Sequence, residues 1–292
     1  MVAENTRVLN RNRSKHVERY LQALVKPQKK ITLEKLSMKL KFQCGKCPQL
    51  SNPNPFRIEF PISEELYYTF TCDRGHENRY SVANTRFGLL FESGLYAFLD
   101  GYNREAVSSC YVALERFYEH ITTMFLAYEN EFSFEQIQSL KKTIYLSERA
   151  YGAFCTIYLM KFKKPLIPFD NKQFLSEINV KFTNFENSPV KFRNKIIHEG
   201  YIPNLEETLN YAKAVGAFIS KITNEIIAID PNAFLNFAMM NNNHKRKQGE
   251  KNHDHEVSNM VFPTFLGNIM NRQPNEYEIE KHIEFIKVDR ER

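Results

Sequence analysis

The sequence predicts a mainly α protein, a helical bundle preceded by a small antiparallel β module. Three observations lead to that expectation. Short aromatic and β-branched runs, separated by turn-rich segments, fill residues 31–82. From about Thr85 the apolar period becomes helical and stays so. Two close pairs of ligand-type residues, Cys44/Cys47 and Cys72/His76, fall where two of the β runs end.

The β runs come first. "ITLEKLSMKLKFQC" alternates in part and is followed by "FRIEF", "LYYTFTC" and "NRYSV". The intervening "SNPNP", "PISEE" and "DRGHE" are rich in turn formers. Upstream, residues 8–26 read as a short basic helix with Val17, Leu21 and Leu24 on one face.

The helical part follows in order. "GLLFESGLYAFLDG" and "REAVSSCYVALERFYEHITTMFLAYE" form two helices joined near Gly101. Residues 133–162 read as a third, opened by a capping box of Ser133 and Gln136. A shorter stretch lies near 171–182. Ser188 and Pro189 are an N-cap and first-turn pair for the next helix, which Gly200 ends. Residues 204–229 make the last long helix. The segment 241–258 holds almost nothing that can enter a core, and its three histidines are read as incidental. At the C-terminus, Ile279, Ile283 and Ile286 stand at helical spacing, although an edge strand is the alternative. The expected organisation is therefore a basic N-terminal helix (1–30), the β module (31–84), the helical domain (85–235), a flexible polar linker (236–258) and a C-terminal tail (259–292).

Composition narrows the class. A chain of 292 residues with 42% hydrophobic and 25% charged residues is ordinary for a globular protein. It has neither an apolar run of about 20 residues for a membrane span nor an apolar signal segment, so the expected compartment is the cytoplasm and no membrane partner is expected. Residues 1–50 carry 12 Lys/Arg against 3 Asp/Glu, and such a basic end suits a polyanionic partner. Cys110 and Cys155 sit among apolar neighbours and are read as core thiols.

Cys44-x2-Cys47 and Cys72-x3-His76 enclose a 24-residue gap. Two ligand pairs on two turns supply the tetrahedral set of thiolate and imidazole donors that zinc prefers. The pattern resembles a zinc ribbon over about 40 residues. Four protein ligands leave no open position, so such a zinc is structural, stabilising a module too small for a large core.

The second constellation is Arg193-Asn194-Lys195-Ile-Ile-His198 in "SPVKFRNKIIHEGYIPN". Arg11/His16 and Arg246/His253 have comparable gaps but lie in polar segments. Only Arg193/His198 falls in a capped helix, with Phe192 and Ile196 able to bury one face. An all-helical domain whose penultimate helix ends in "FRNKIIHEG" resembles the HEPN family over roughly residues 85–235. "FESGLYAFLDGYNREAVSSCYVALERFYEH" is similar to that family's paired early helices.

The resemblance implies cleavage of RNA without a catalytic metal, at a homodimer interface. His198 would move the proton between the 2′-OH and the leaving 5′-oxygen. Arg193 would hold the phosphate oxygens, Asn194 would orient the phosphate or the histidine, and Lys195 would grip flanking backbone. It also implies a bacterial antiphage-defence or toxin setting, with a regulatory protein or another defence-system subunit as a further partner. The family includes members without nuclease activity. A non-catalytic dimeric module whose ribbon binds nucleic acid or a protein therefore stays open, as does a zinc-ribbon DNA-binding regulator.

Overall fold

The computed structural model describes residues 38–47, 57–129, 132–144, 146–240, 257–267 and 278–291. The basic helix expected at 8–26, the polar segment 241–256 and the pairs Arg11/His16 and Arg246/His253 lie outside them. The expected class holds, since the chain is mainly helical with a small antiparallel β region ahead of the bundle.

Four strands build the β module: β1 (Lys39–Gln43), β2 (Arg57–Pro61), β3 (Tyr67–Thr71) and β4 (Glu77–Val82). β1 pairs antiparallel with β2, and β3 with β4. Alternation sets the faces: Leu40 and Phe42 of β1 and Tyr68 and Phe70 of β3 point inward. Their rings meet there, with Phe42 against Tyr68 at 4.9 Å and Phe70 stacked on Tyr80 at 5.9 Å.

Helix α1 (Arg86–Leu99) is capped by Thr85, whose hydroxyl accepts the Gly88 N–H. Its Leu89 belongs to the β-module core, whereas Phe87, Phe91 and Leu95 belong to the bundle core. One helix thus closes two hydrophobic clusters. α2 (Asn103–Glu129) returns against α1, and Gly94 sits at their close approach. A Cβ there would meet Cys110 Sγ at 2.9 Å and the Ala106 carbonyl at 3.1 Å. Gly94→Ala is therefore expected to destabilise by about 1–3 kcal/mol through overpacking. Gly152→Ala, at a helical glycine with nothing within 4 Å, is expected to stabilise by roughly 0.5–1 kcal/mol. Denaturant midpoints of the two variants should move in opposite directions.

The single helix expected over 133–162 is two. α3 (Phe134–Ile144) keeps the expected capping box, with Ser133 N–H donating to Gln136 Oε1 (2.8 Å) and Gln136 N–H to Ser133 Oγ (3.3 Å). α4 (Ser147–Phe162) restarts after an extended Leu146. No glycine or proline marks the break. It lets both pieces turn an apolar face to α2, Ile137 and Ile144 from one, Ala150, Phe154 and Tyr158 from the other.

After α5 (Lys172–Glu177) and a 3-10 turn (Thr183–Phe185) come α6 (Pro189–Glu199) and α7 (Leu205–Ile229). α7 opens with a capping box of Asn204 and Glu207. It runs through the bundle with Tyr211, Val215, Phe218, Ile219 and Ile222 buried.

The C-terminal part is not peripheral to the fold. Residues 233–240 are helical (α8) and bury Ala233 and Phe237, so residues 236–240, expected to open a flexible linker, belong to a helix. β5 (Ser258–Met260) adds to β4 as a parallel strand. Asn84 exchanges two 2.7 Å hydrogen bonds with the Phe262 backbone. α9 (Ile279–Glu291) places Ile279, Ile283 and Ile286 in the bundle core. In place of an edge strand there is a helix, because its apolar period lets Ile279, Ile283 and Ile286 share one buried face that packs beside α1. Residues 38–292 form one compact unit, with no seam at 84/85 or at 258/259.

Candidate functional site

The sequence-predicted ligand quartet is brought together. Cys44 follows β1 directly, Cys72 follows β3, and His76 precedes β4, so two hairpin ends face each other. The Cys72–His76 turn is closed by Cys72 N–H to the His76 carbonyl (3.1 Å) and Gly75 N–H to the Cys72 carbonyl (2.8 Å). Cys47 Sγ lies 3.8 Å from Cys72 Sγ and 3.4 Å from His76 Nδ1, and Cys44 Sγ lies 3.7 Å from Nδ1. All four donor atoms fall within 4.8 Å of one another.

The three shorter separations are close to the edges of a coordination tetrahedron. Bonds of about 2.3 Å to sulfur and 2.0–2.1 Å to nitrogen give S···S edges of about 3.8 Å and S···N edges of about 3.6 Å. The quartet can therefore hold a metal ion. Burial pushes the Cys44 thiol up, but the Asn78 amide, the Lys46 backbone N–H and His76 outweigh it and bring it down to about 6. Desolvation and the crowded sulfurs of Cys44 and Cys72 push Cys47 up to about 11. A cation among the sulfurs would relieve that repulsion.

The second constellation sits on α6. Ser188 Oγ accepts the Lys191 N–H, Pro189 takes the first turn, and Gly200 ends the helix at φ 74°, its N–H on the Lys195 carbonyl. Phe192 and Ile196 are fully buried, and Phe192 packs on Phe182, Phe185 and Tyr211. This anchor fixes which side chains face out. Asn194, Lys195 and His198 are exposed on one side. Lys195 Nζ lies 5.9 Å from the Phe185 ring centre. Arg193 is half-buried, its guanidinium 3.7 Å above the Tyr111 ring of α2. Among the described residues, its buried Nε has no hydrogen-bond partner. Burial pushes the Tyr211 phenol beneath this region well up, against which the Arg193 charge acts.

Asn194 and His198 are one helical turn apart and share a face, but Arg193 and His198 are separated by roughly 140° around the helix. α6 therefore keeps Arg193 on its own flank. Among the described residues, Asn194 and His198 make no hydrogen bond or ion pair. On α2, Arg116 pairs with Glu119 at 2.5 Å.

Two residues at these sites escape sequence reasoning. Asn78, two positions after His76, turns inward onto the ligands; an inward polar residue in an alternating strand is the signal that was there to find. Tyr111 carries no signal, because only folding brings it under Arg193. Among the described residues, no helix is long and apolar enough to cross a membrane. Comparison of the chain with protein-family models, with curated proteins and with solved structures finds no match.

Proposed function

We propose that this protein is an endoribonuclease of HEPN type whose β module is held by a structural zinc ion. The observation that carries the reading is the end of α6. A guanidinium is fixed on an aromatic face, and an adjacent amide and imidazole stand exposed and, among the described residues, uncommitted. RNA brings its own nucleophile, so the protein has to move one proton and steady charge on the phosphorane. His198 takes the 2′-OH proton or protonates the leaving 5′-oxygen. Arg193 presents its terminal nitrogens to the nonbridging oxygens, Asn194 orients the phosphate, and Lys195 binds flanking backbone. Because Arg193 and His198 diverge around the helix, one cleft takes these groups from two copies of α6 related by a dimer axis.

Three thiolates and one imidazole in a tetrahedron make zinc the fitting ion, and a full ligand set gives it a structural role. Catalysis in this reading uses α6 alone. A setting in antiphage defence or a toxin system, with a regulatory protein or other defence-system subunit as partner, follows from the sequence resemblance.

The test is incubation of the purified protein with mixed cellular RNA in EDTA, beside His198→Ala and Arg193→Ala. Cleavage leaving 2′,3′-cyclic phosphate and 5′-hydroxyl ends is expected, reduced about 10²–10⁴-fold in the His198 variant. Equal cleavage by wild type and His198→Ala would remove the imidazole from the mechanism. A second reading, non-catalytic nucleic-acid binding, is favoured by Lys46 and Arg74, which stand exposed at the two ligand turns. RNA binding without cleavage, unchanged in Arg193→Ala, would select it.

A further inference from the structure

We propose that Asn78 is the positioning residue of the metal site, fastening the two ligand pairs to each other and orienting the Cys44 sulfur. The inference rests on the reading of the quartet as a zinc site. Asn78 is the second residue of β4 and is buried, 5% exposed. Its amide is fully engaged. Nδ2 donates to Cys44 Sγ (3.3 Å) and to the His76 carbonyl (2.9 Å), and Oδ1 accepts the Gly45 N–H (3.2 Å). Cys44 and Gly45 belong to the first ligand pair and His76 to the second, so one side chain joins both.

The partners also set the amide's orientation. Exchanging its oxygen and nitrogen would face oxygen toward a sulfur and a carbonyl, and an NH₂ toward an N–H. The next inward neighbour on β4 supports the same turn: Tyr80 O–H donates to the Gln43 carbonyl at 3.0 Å. The Tyr80 hydroxyl lies 2.8 Å from where a Cβ on Gly45 would be. The first ligand turn is thus seated against β4, with Asn78 at its centre. A donor aimed at a ligand sulfur spreads the thiolate charge and holds the sulfur in place, which is how hydrogen-bonded partners outside the ligand set tune metal sites.

Zinc affinity of the full chain, measured by competition with a chromophoric chelator, is expected to fall about 10–100-fold in Asn78→Ala. Asn78→Asp keeps the shape but turns a carboxylate oxygen toward the sulfur, and should fall at least as far. With cobalt(II) in the site, the sulfur-to-metal charge-transfer bands should shift or weaken in both variants. Asn84→Ala is the control: it breaks the buried tie to Phe262 but touches no ligand. It should lower stability and leave affinity and cobalt spectrum unchanged. Wild-type zinc binding with both Asn78 variants within threefold of it and an unaltered cobalt spectrum would overturn the role of Asn78 alone. A wild-type chain that takes up neither zinc nor cobalt would overturn the zinc reading, and this inference with it.

Discussion

With zinc held by the quartet as proposed, its removal by a strong chelator is expected to unfold the β module while most of the helical bundle stays folded. The module's own core is small: Leu40, Phe42, Tyr68, Phe70 and Val82 with a few neighbours, closed on one side by Leu89 of α1. So few buried side chains do little more than offset the entropy of ordering the chain. A structural zinc contributes on the order of 10 kcal/mol or more of binding free energy, all of it coupled to folding. Hydrogen exchange reads the outcome directly. Amides of β3, β4 and the paired β5 should lose protection on chelation and in Cys44→Ser, while those flanking Phe154 and Phe218 should keep it. Protection of Tyr68 and Phe70 that survives complete metal removal would mean the quartet does not hold the module together.

His282→Ala is expected to be the most damaging single change in the bundle. His282 and Glu92 are essentially inaccessible, with Nε2 2.7 and 2.9 Å from the two carboxylate oxygens, and Glu92 also accepts the Phe265 N–H at 2.9 Å. Removing the imidazole leaves the buried carboxylate, among the described residues, with the Phe265 N–H as its remaining donor, at a cost of about 3–5 kcal/mol. For a chain of this size that corresponds to a fall in melting temperature on the order of 10 °C. Replacing both partners with apolar residues, Glu92→Leu with His282→Phe, should recover much of the loss, since no charge is then stranded. The double-mutant cycle measures the coupling. A near-additive cycle would show that α9 docks through Ile279, Ile283 and Ile286 without help from the pair.

Helix α6 and the ligand quartet were both legible in the sequence, for the same reason. A serine cap, a proline in the first turn and a glycine with positive φ act within a few residues of the helix they delimit. Cys44/Cys47 and Cys72/His76 likewise each lie within one turn. Strand alternation and helical period told which faces were apolar, and so gave the class. The break at Leu146 had no such marker. Across it, α3 and α4 each lay apolar residues against α2, a long-range feature that no near neighbour signals.

The C-terminal segment makes the contrast sharpest. Its isoleucine period already suggested a helix, but nothing local indicated that it would pack on α1, nor that β5 would extend a sheet built some 180 residues earlier. The sequence by itself determined the strand runs of the β module, the helical period of the bundle, the caps of α3 and α6 and the spacing of the metal ligands, because those depend on interactions between near neighbours. Only the tertiary structure decided that Glu92 meets His282, that Tyr111 lies under Arg193 and that Asn78 spans both ligand pairs. Each of those contacts gains its strength from burial and excluded water, which exist only once distant parts of the chain have closed around it.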